Sequence, residues 1–260
     1  MPQDLNTALE RPELSRDPYE KSLSPNTPLF IETLKVTEER ISMINFGPSG
    51  WLSEEETNLL KNAILLREKA IAFCQEERGV LKHSYGKPYK IPVISHKPWQ
   101  NKPIPIPKSI LPQFIELVRE RIRTGLYEQS TSSYNSPLFC VVKPKGKLRI
   151  VHDLQDLNKV TIKDAGLPPN VDEFVGSFSQ RACYGLGDIM GGYDERELYI
   201  DTRPLTTFET PLGRVQLTRL PQGATNSVAF YKAQMTWILQ EEIPEHLGIF
   251  IDDGWIKGPR

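Results

Sequence analysis

Two carboxylates stand side by side in Ile249-Phe250-Ile251-Asp252-Asp253-Gly254, directly after a short apolar run. Paired charges at the end of a buried strand are costly unless a cation meets them. Asp-Gly also suits an ordinary solvated turn, so the pair alone leaves both readings open. A third carboxylate, Asp188, holds the same kind of position after Tyr184-Gly185-Leu186-Gly187. Placed side by side in one sheet, the two strand ends could hold two divalent cations about 4 Å apart. Such a pair activates an attacking oxygen and stabilises a leaving one in phosphoryl transfer. Mg2+ or Mn2+ is expected, because these ions take oxygen ligands. His83, His96, His152 and His246 show no metal-ligand spacing. Cys74, Cys140 and Cys183 are far apart and form no CxxC, which points to a reducing compartment and away from a disulfide framework or a zinc site.

Those carboxylates need strands to carry them. Apolar runs predict strands over 183–187 and 248–251, each delivering an Asp at its end. Two hairpins are predicted, 138–143 with 147–152 around Pro144-Lys145-Gly146, and 206–210 with 214–219 around Pro211-Leu212-Gly213. Ser53 can cap a helix, with Glu56 three residues on; Leu59, Leu60, Ala63, Ile64 and Phe73 extend its apolar face to about Glu77, and Gly79 would end it. A second helix is expected from Ile110 to Thr124, with Ile110, Phe114, Leu117, Val118 and Ile122 buried and Gly125 as its stop. Asn170 starts a short one, with Val171, Phe174, Val175 and Phe178 on one face. Another spans about 226–240, using Phe230, Trp237 and Ile238. Prolines at 88, 92, 98, 103, 105 and 107 force an extended strap. One strand, Leu29 to Val36, is expected in the polar first fifty residues. Helices and hairpins mixed in this order indicate an α+β fold.

The 260 residues carry 32 basic and 33 acidic groups, a net charge of −1, and 38% are hydrophobic, enough to build a core. That near-zero total discourages a polyanionic partner at first sight, but it conceals a division. Residues 1–96 sum to −2, residues 97–150 to +7 and residues 151–260 to −6. A basic stretch precedes a carboxylate-rich one. No apolar run approaches the 18 residues of a membrane span. The polar N-terminal sequence suggests neither a signal nor a transit peptide, so an intracellular protein is expected, with no membrane partner.

From about Trp99 to Arg260 the sequence resembles the reverse transcriptase domain of gypsy-like long-terminal-repeat retrotransposons, particularly those of fungal genomes. The carrying segments are SPLFCVVKPKGKLRIVHDLQDLNKVTIKDAGLPP, YGLGDIMGGYDEREL, TTFETPLGRVQLTRLPQGATNS and IFIDDGWIKGP, in the family's order and spacing. The resemblance implies an RNA-directed DNA polymerase shaped as a right hand, using two Mg2+ or Mn2+ ions, deoxynucleoside triphosphates and an RNA or DNA template with its primer. It places Asp188 on the first catalytic aspartate and Asp252 and Asp253 on the aspartate pair. Tyr193 falls on the aromatic gate beneath the incoming sugar, which excludes a 2′-hydroxyl by bulk. Lys143 and Arg149 fall on the basic pair that grips the triphosphate, and Gln222 and Gly223 on the loop beside the new base pair. The remaining basic groups of 97–150 would contact template phosphates.

The expected layout is a polar arm over 1–50, a helical segment over 51–87, the strap over 88–109 and the polymerase domain over 110–260. Within the last, fingers take about 110–164 and 199–221, and a partial palm about 165–198 and 222–260. Against the family pattern, Phe250 replaces a common Tyr, Gln155 a common Arg, and Trp255 is unusually bulky. The sequence runs seven residues beyond Asp253, so the thumb and ribonuclease H regions are expected in downstream sequence of a polyprotein. In cells, virus-like particles in the cytoplasm, and the nucleus, are the expected locations. The alternative is a non-catalytic remnant that binds nucleic acid through its basic fingers.

Overall fold

The computed structural model describes residues 28–258 apart from 75–76, 143, 167–169, 190 and 252, with backbone only at 145 and 188. Two compact units divide the chain, one over Glu13–Arg78 and one containing Gly79–Arg260.

In the smaller unit, helices α1 (Glu38–Ser42) and α2 (Glu54–Leu66) are capped by Thr37 and Ser53. The expected capping box is present: Glu56 N–H donates to Ser53 Oγ (3.1 Å) and Ser53 N–H to Glu56 Oε2 (2.8 Å). Helix α2 stops at Leu66, well before Glu77, and a 3-10 turn follows at Glu68–Ala70. The apolar period lapses across Arg67-Glu68-Lys69, and Phe73 lies beneath the Arg40 guanidinium, 4.6 Å from its ring centre. No strand forms over 29–36. A strand needs a ladder partner, and here Thr33 closes a local turn instead, its hydroxyl accepting from Val36 N–H at 2.9 Å.

Among the described residues of the larger unit, three small antiparallel sheets form, and a hydrophobic core draws on residues of each. Strand β1 (Tyr127–Gln129) and strand β5 (Phe208–Thr210) flank β6 (Gly213–Leu217). Strands β2 (Leu138–Val142) and β3 (Leu148–His152) form the expected hairpin. Strand β8 (Asp253–Lys257) lies between β4 (Tyr184–Asp188) and β7 (Leu247–Phe250). The strap stays non-helical and is pinned by single bridges, Tyr89 to Leu198, Val93 to Thr161 and Gln100 to Asn135.

Helix α3 (Leu111–Arg123) ends where Gly125 takes φ +71°, and it buries Phe114 and Val118. Ile122 remains exposed, because the stripe that touches the core is narrower than its apolar residues allow. Helix α4 (Gln155–Val160) follows the β2–β3 hairpin. Helix α5 (Val171–Gly176) is capped by the Asn170 side chain, which accepts from Asp172 and Glu173 N–H. It turns Phe174 and Phe178 toward Trp255, while Val171 and Val175 face solvent. Helix α6 (Ser227–Ile238) buries Tyr231 and Met235; Phe230 is partly buried against Tyr89. No described helix is long and apolar enough to cross a membrane.

Candidate active site

The β4–β8–β7 sheet positions the carboxylates. Asp188 and Asp253 are direct register partners, as are Gly187 and Gly254, and Phe250 lies opposite Asp253 on the other side. Direct antiparallel partners have Cα atoms about 4.5–5.5 Å apart. Asp188 and Asp253 are therefore neighbours in one sheet, but the two strands expected to carry the acids are not: β8 lies between β4 and β7, and Asp253 opens β8 instead of following the end of β7. Asp253 itself is half-buried. Asp252 lies outside the described residues, and it follows Ile251, whose φ of +60° is unusual for a β-branched residue. Among the described residues no three His, Cys, Asp or Glu side chains form a metal-holding group.

Tyr193 sits in a 3-10 turn, Gly192–Glu195, introduced by Gly191 at φ +62°. Its buried ring stacks on Tyr231 of α6, with centroids 4.9 Å apart and planes 19° from parallel. Gly192 makes that approach possible, since a Cβ there would collide with the Tyr231 hydroxyl. Tyr231 was not expected at the site. Nothing local marks it, because its partner is 38 positions away in sequence.

Arg149, exposed on β3, donates from Nη2 to Gln222 Oε1 at 3.1 Å, joining two residues expected at the nucleotide. Lys143, expected beside Arg149, lies outside the described residues. Gly223 adopts φ +92°, which accounts for glycine there. A second residue missed from sequence, Asn158 of α4, clamps this loop. Its Nδ2 donates to Gly223 O (2.9 Å) and its Oδ1 accepts from Thr225 N–H (2.8 Å). Asn226 does the same next door, with Nδ2 on Ile162 O (2.8 Å) and Oδ1 accepting from Asp164 N–H (3.0 Å).

Residues 141–258 match the family model for reverse transcriptase (RNA-dependent DNA polymerase). This segment is a reverse transcriptase domain. Retrovirus-related Pol polyproteins match more of the chain. The Pol polyprotein from transposon 297 of Drosophila melanogaster is 28% identical over 78% of this chain and 19% of its own length. That from Drosophila transposon gypsy is 24% identical over 74% of the chain and 19% of its own length. The chain thus spans about a fifth of these polyproteins. Among solved structures, a foamy viral protease-reverse transcriptase in complex with RNA/DNA hybrid superposes with a TM-score of 0.73 at 20% identity, covering 81% of this chain and 28% of that one. The larger unit therefore has the α+β fold of reverse transcriptase polymerases. The reverse transcriptase domain includes the β4–β8–β7 sheet, the Tyr193 stack and the Asn158-clamped loop.

Proposed function

We propose that this domain supplies fingers and a partial palm to an RNA-directed DNA polymerase of a retrotransposon polyprotein. The register that sets Asp188 opposite Asp253, inside the segment matching the family, carries the reading. Asp188, Asp252 and Asp253 offer only oxygen donors, a set that suits Mg2+ or Mn2+. When bound, two such ions lower the pKa of a primer 3′-hydroxyl and stabilise the departing pyrophosphate. The three carboxylates would hold the ions. Arg149 and Lys143 would supply the cations for the triphosphate, on which developing charge favours them. Tyr193, backed by Tyr231, stands beneath the deoxyribose and excludes a ribose by bulk. Gln222 and Gly223 lie beside the new base pair. Template and primer run along the basic segment of residues 97–150, with affinity that falls as salt rises.

The test is extension of a DNA primer on an RNA template with Mg2+ or Mn2+, by the chain alone and fused to the downstream region of a related polyprotein. Extension lost in Asp252→Asn supports the assignment. Equal extension by that variant removes the metal role. Salt-sensitive binding of primer–template with no extension in either form would make the domain a non-catalytic nucleic-acid binder.

A further inference from the structure

Phe250 pairs with Asp253 across the β7–β8 ladder, and Trp255 follows Asp253 by two residues on β8. Cross-strand partners share a face, as do alternate residues of one strand, so both aromatic side chains stand on the face that Asp253 uses. On the opposite face β7 sends Ile249 into the core, 5% exposed. Only Ile251 and Asp252 connect the paired Phe250 and Asp253. Ile251 is held at φ +60°, a region that a β-branched residue keeps only where its surroundings fix it.

Helix α5 covers the face that carries Asp253. The Phe174 ring centre lies 5.3 Å from that of Phe250 and 6.1 Å from that of Trp255, meeting the indole edge-on. Phe178, itself buried, backs both Phe174 (5.0 Å) and Trp255 (6.0 Å). Gly248, the cross-strand partner of Trp255, lets the helix come this close. A Cβ there would stand 2.8 Å from the Phe174 ring and 3.0 Å from that of Phe178. Among the described residues these four rings are no part of the main core. Val171, Asp172, Glu173 and Val175 of the same helix are exposed. The ring contacts of α5 thus go to this one sheet, beside its acids.

We propose that Phe174 is a positioning residue for the carboxylates: through Phe250 and Trp255 it fixes the β7–β8 turn that carries Asp252 and Asp253. The inference rests on the reading of those acids as metal ligands. It also gives the bulk of Trp255 a use, since the indole reaches both rings of α5 from the strand that Asp253 opens. Because the cluster stands apart from the main core, loss of the Phe174 ring leaves the rest of the domain packed.

The experiment is titration of the full chain with Mn2+, the free ion followed by electron paramagnetic resonance, in the parent, Phe174→Ala, Phe174→Leu, Val175→Ala and Asp253→Asn. Asp253→Asn defines the site by losing the Mn2+ held there. Phe174→Ala binds that Mn2+ about 10-fold more weakly, the scale on which contacts supporting metal ligands act. Phe174→Leu, which keeps apolar bulk, recovers most of the affinity, and Val175→Ala, on the exposed side of the helix, matches the parent. Parent-like affinity in Phe174→Ala beside a loss in Asp253→Asn overturns the positioning role and leaves the metal reading standing. If Asp253→Asn binds Mn2+ as the parent does, the metal reading fails instead, and amide hydrogen exchange over residues 253–257 decides. Protection lost in Phe174→Ala and regained in Phe174→Leu then supports a turn fixed by Phe174, and unchanged protection overturns it. Should Phe174→Ala not fold, Gly248→Ala takes its place, because the added Cβ displaces the same ring; unchanged Mn2+ affinity there overturns the proposal.

Discussion

Asp188 and Asp253 face each other across the β4–β8 ladder, each at a strand end, with the glycine pair Gly187 and Gly254 as the next rung. Glycines there leave the backbone uncrowded beside the acids. Replacing either acid by Asn removes charge while keeping size, so the fold should survive and the chemistry should not. A metal pair supplies several kcal/mol of transition-state stabilisation, so Asp188→Asn or Asp253→Asn should cut primer extension at least ~100-fold. Circular dichroism should match that of the parent, and chelation with EDTA should give the same loss, reversed by Mg2+. Full activity in either variant would detach that residue from the metal site.

Tyr193 depends on Tyr231 for its place. Tyr231 is fully buried, so Tyr231→Ala should cost about 3–5 kcal/mol in urea denaturation, as large aromatic truncations do. Tyr231→Phe keeps the stacked ring and should stay close to the parent in stability. Tyr193→Ala should raise the ratio of ribonucleotide to deoxynucleotide incorporation at least ~10-fold, the effect of removing a steric exclusion worth about 1.4 kcal/mol. An unchanged ratio would make Tyr193 an ordinary core tyrosine.

Local signals were legible in the sequence where the physics is local. The Ser53–Glu56 box, the Asn170 cap, the Gly125 stop and the β2–β3 hairpin each rest on residues within a few positions of one another, and all are present. The apolar stretch 29–36 misled because strand formation requires a distant partner that periodicity cannot supply. Strand β1, only three residues long, was missed for the converse reason: it exists because Gly213–Leu217 pairs with it. At the site, the order of the acids was readable, but the clamp by Asn158 spans 65 positions to Gly223 and 67 to Thr225. Such contacts leave no mark on spacing. Nor does the +60° φ of Ile251, which only the turn between β7 and β8 imposes.

Asn158 offers a way to test the loop without touching a proposed nucleotide contact. Asn158→Ala removes a donor to Gly223 O and an acceptor from Thr225 N–H, both in an exposed setting where water can substitute in part. Stability should fall by about 1–2 kcal/mol. The larger effect should be on the nucleotide, because Gln222 is held between this clamp and Arg149. Steady-state kinetics should show KM for deoxynucleotides rising about 10-fold, with affinity for primer–template unchanged. Weakened primer–template binding with an unchanged KM would move the loop away from the nucleotide.

The final prediction concerns acid. His152, on β3, packs between Tyr127 and Phe208, with ring centroids 5.7 and 4.7 Å away. Tyr127 Oη and His152 Nε2 share a hydrogen bond at 2.9 Å, and Tyr127 Oη accepts from Arg121 Nη1 at 2.9 Å. Burial first, and the Arg121 charge second, push the imidazole pKa from about 6.5 down to about 3. The imidazole is therefore neutral in the folded chain. Below pH 6.5 the unfolded chain takes up a proton at this residue that the folded chain refuses, so stability falls as pH drops from 6.5 toward 3. Above 6.5 the residue adds no pH dependence. The slope can reach about 1.4 kcal/mol per pH unit. His152→Gln keeps a hydrogen-bonding partner for Tyr127 and removes the titration. Urea denaturation between pH 7.5 and 5, above the range where the carboxylates titrate, should show the parent losing stability more steeply than the variant. Parallel profiles would mean that His152 takes up its proton in the folded chain as readily as in the unfolded one.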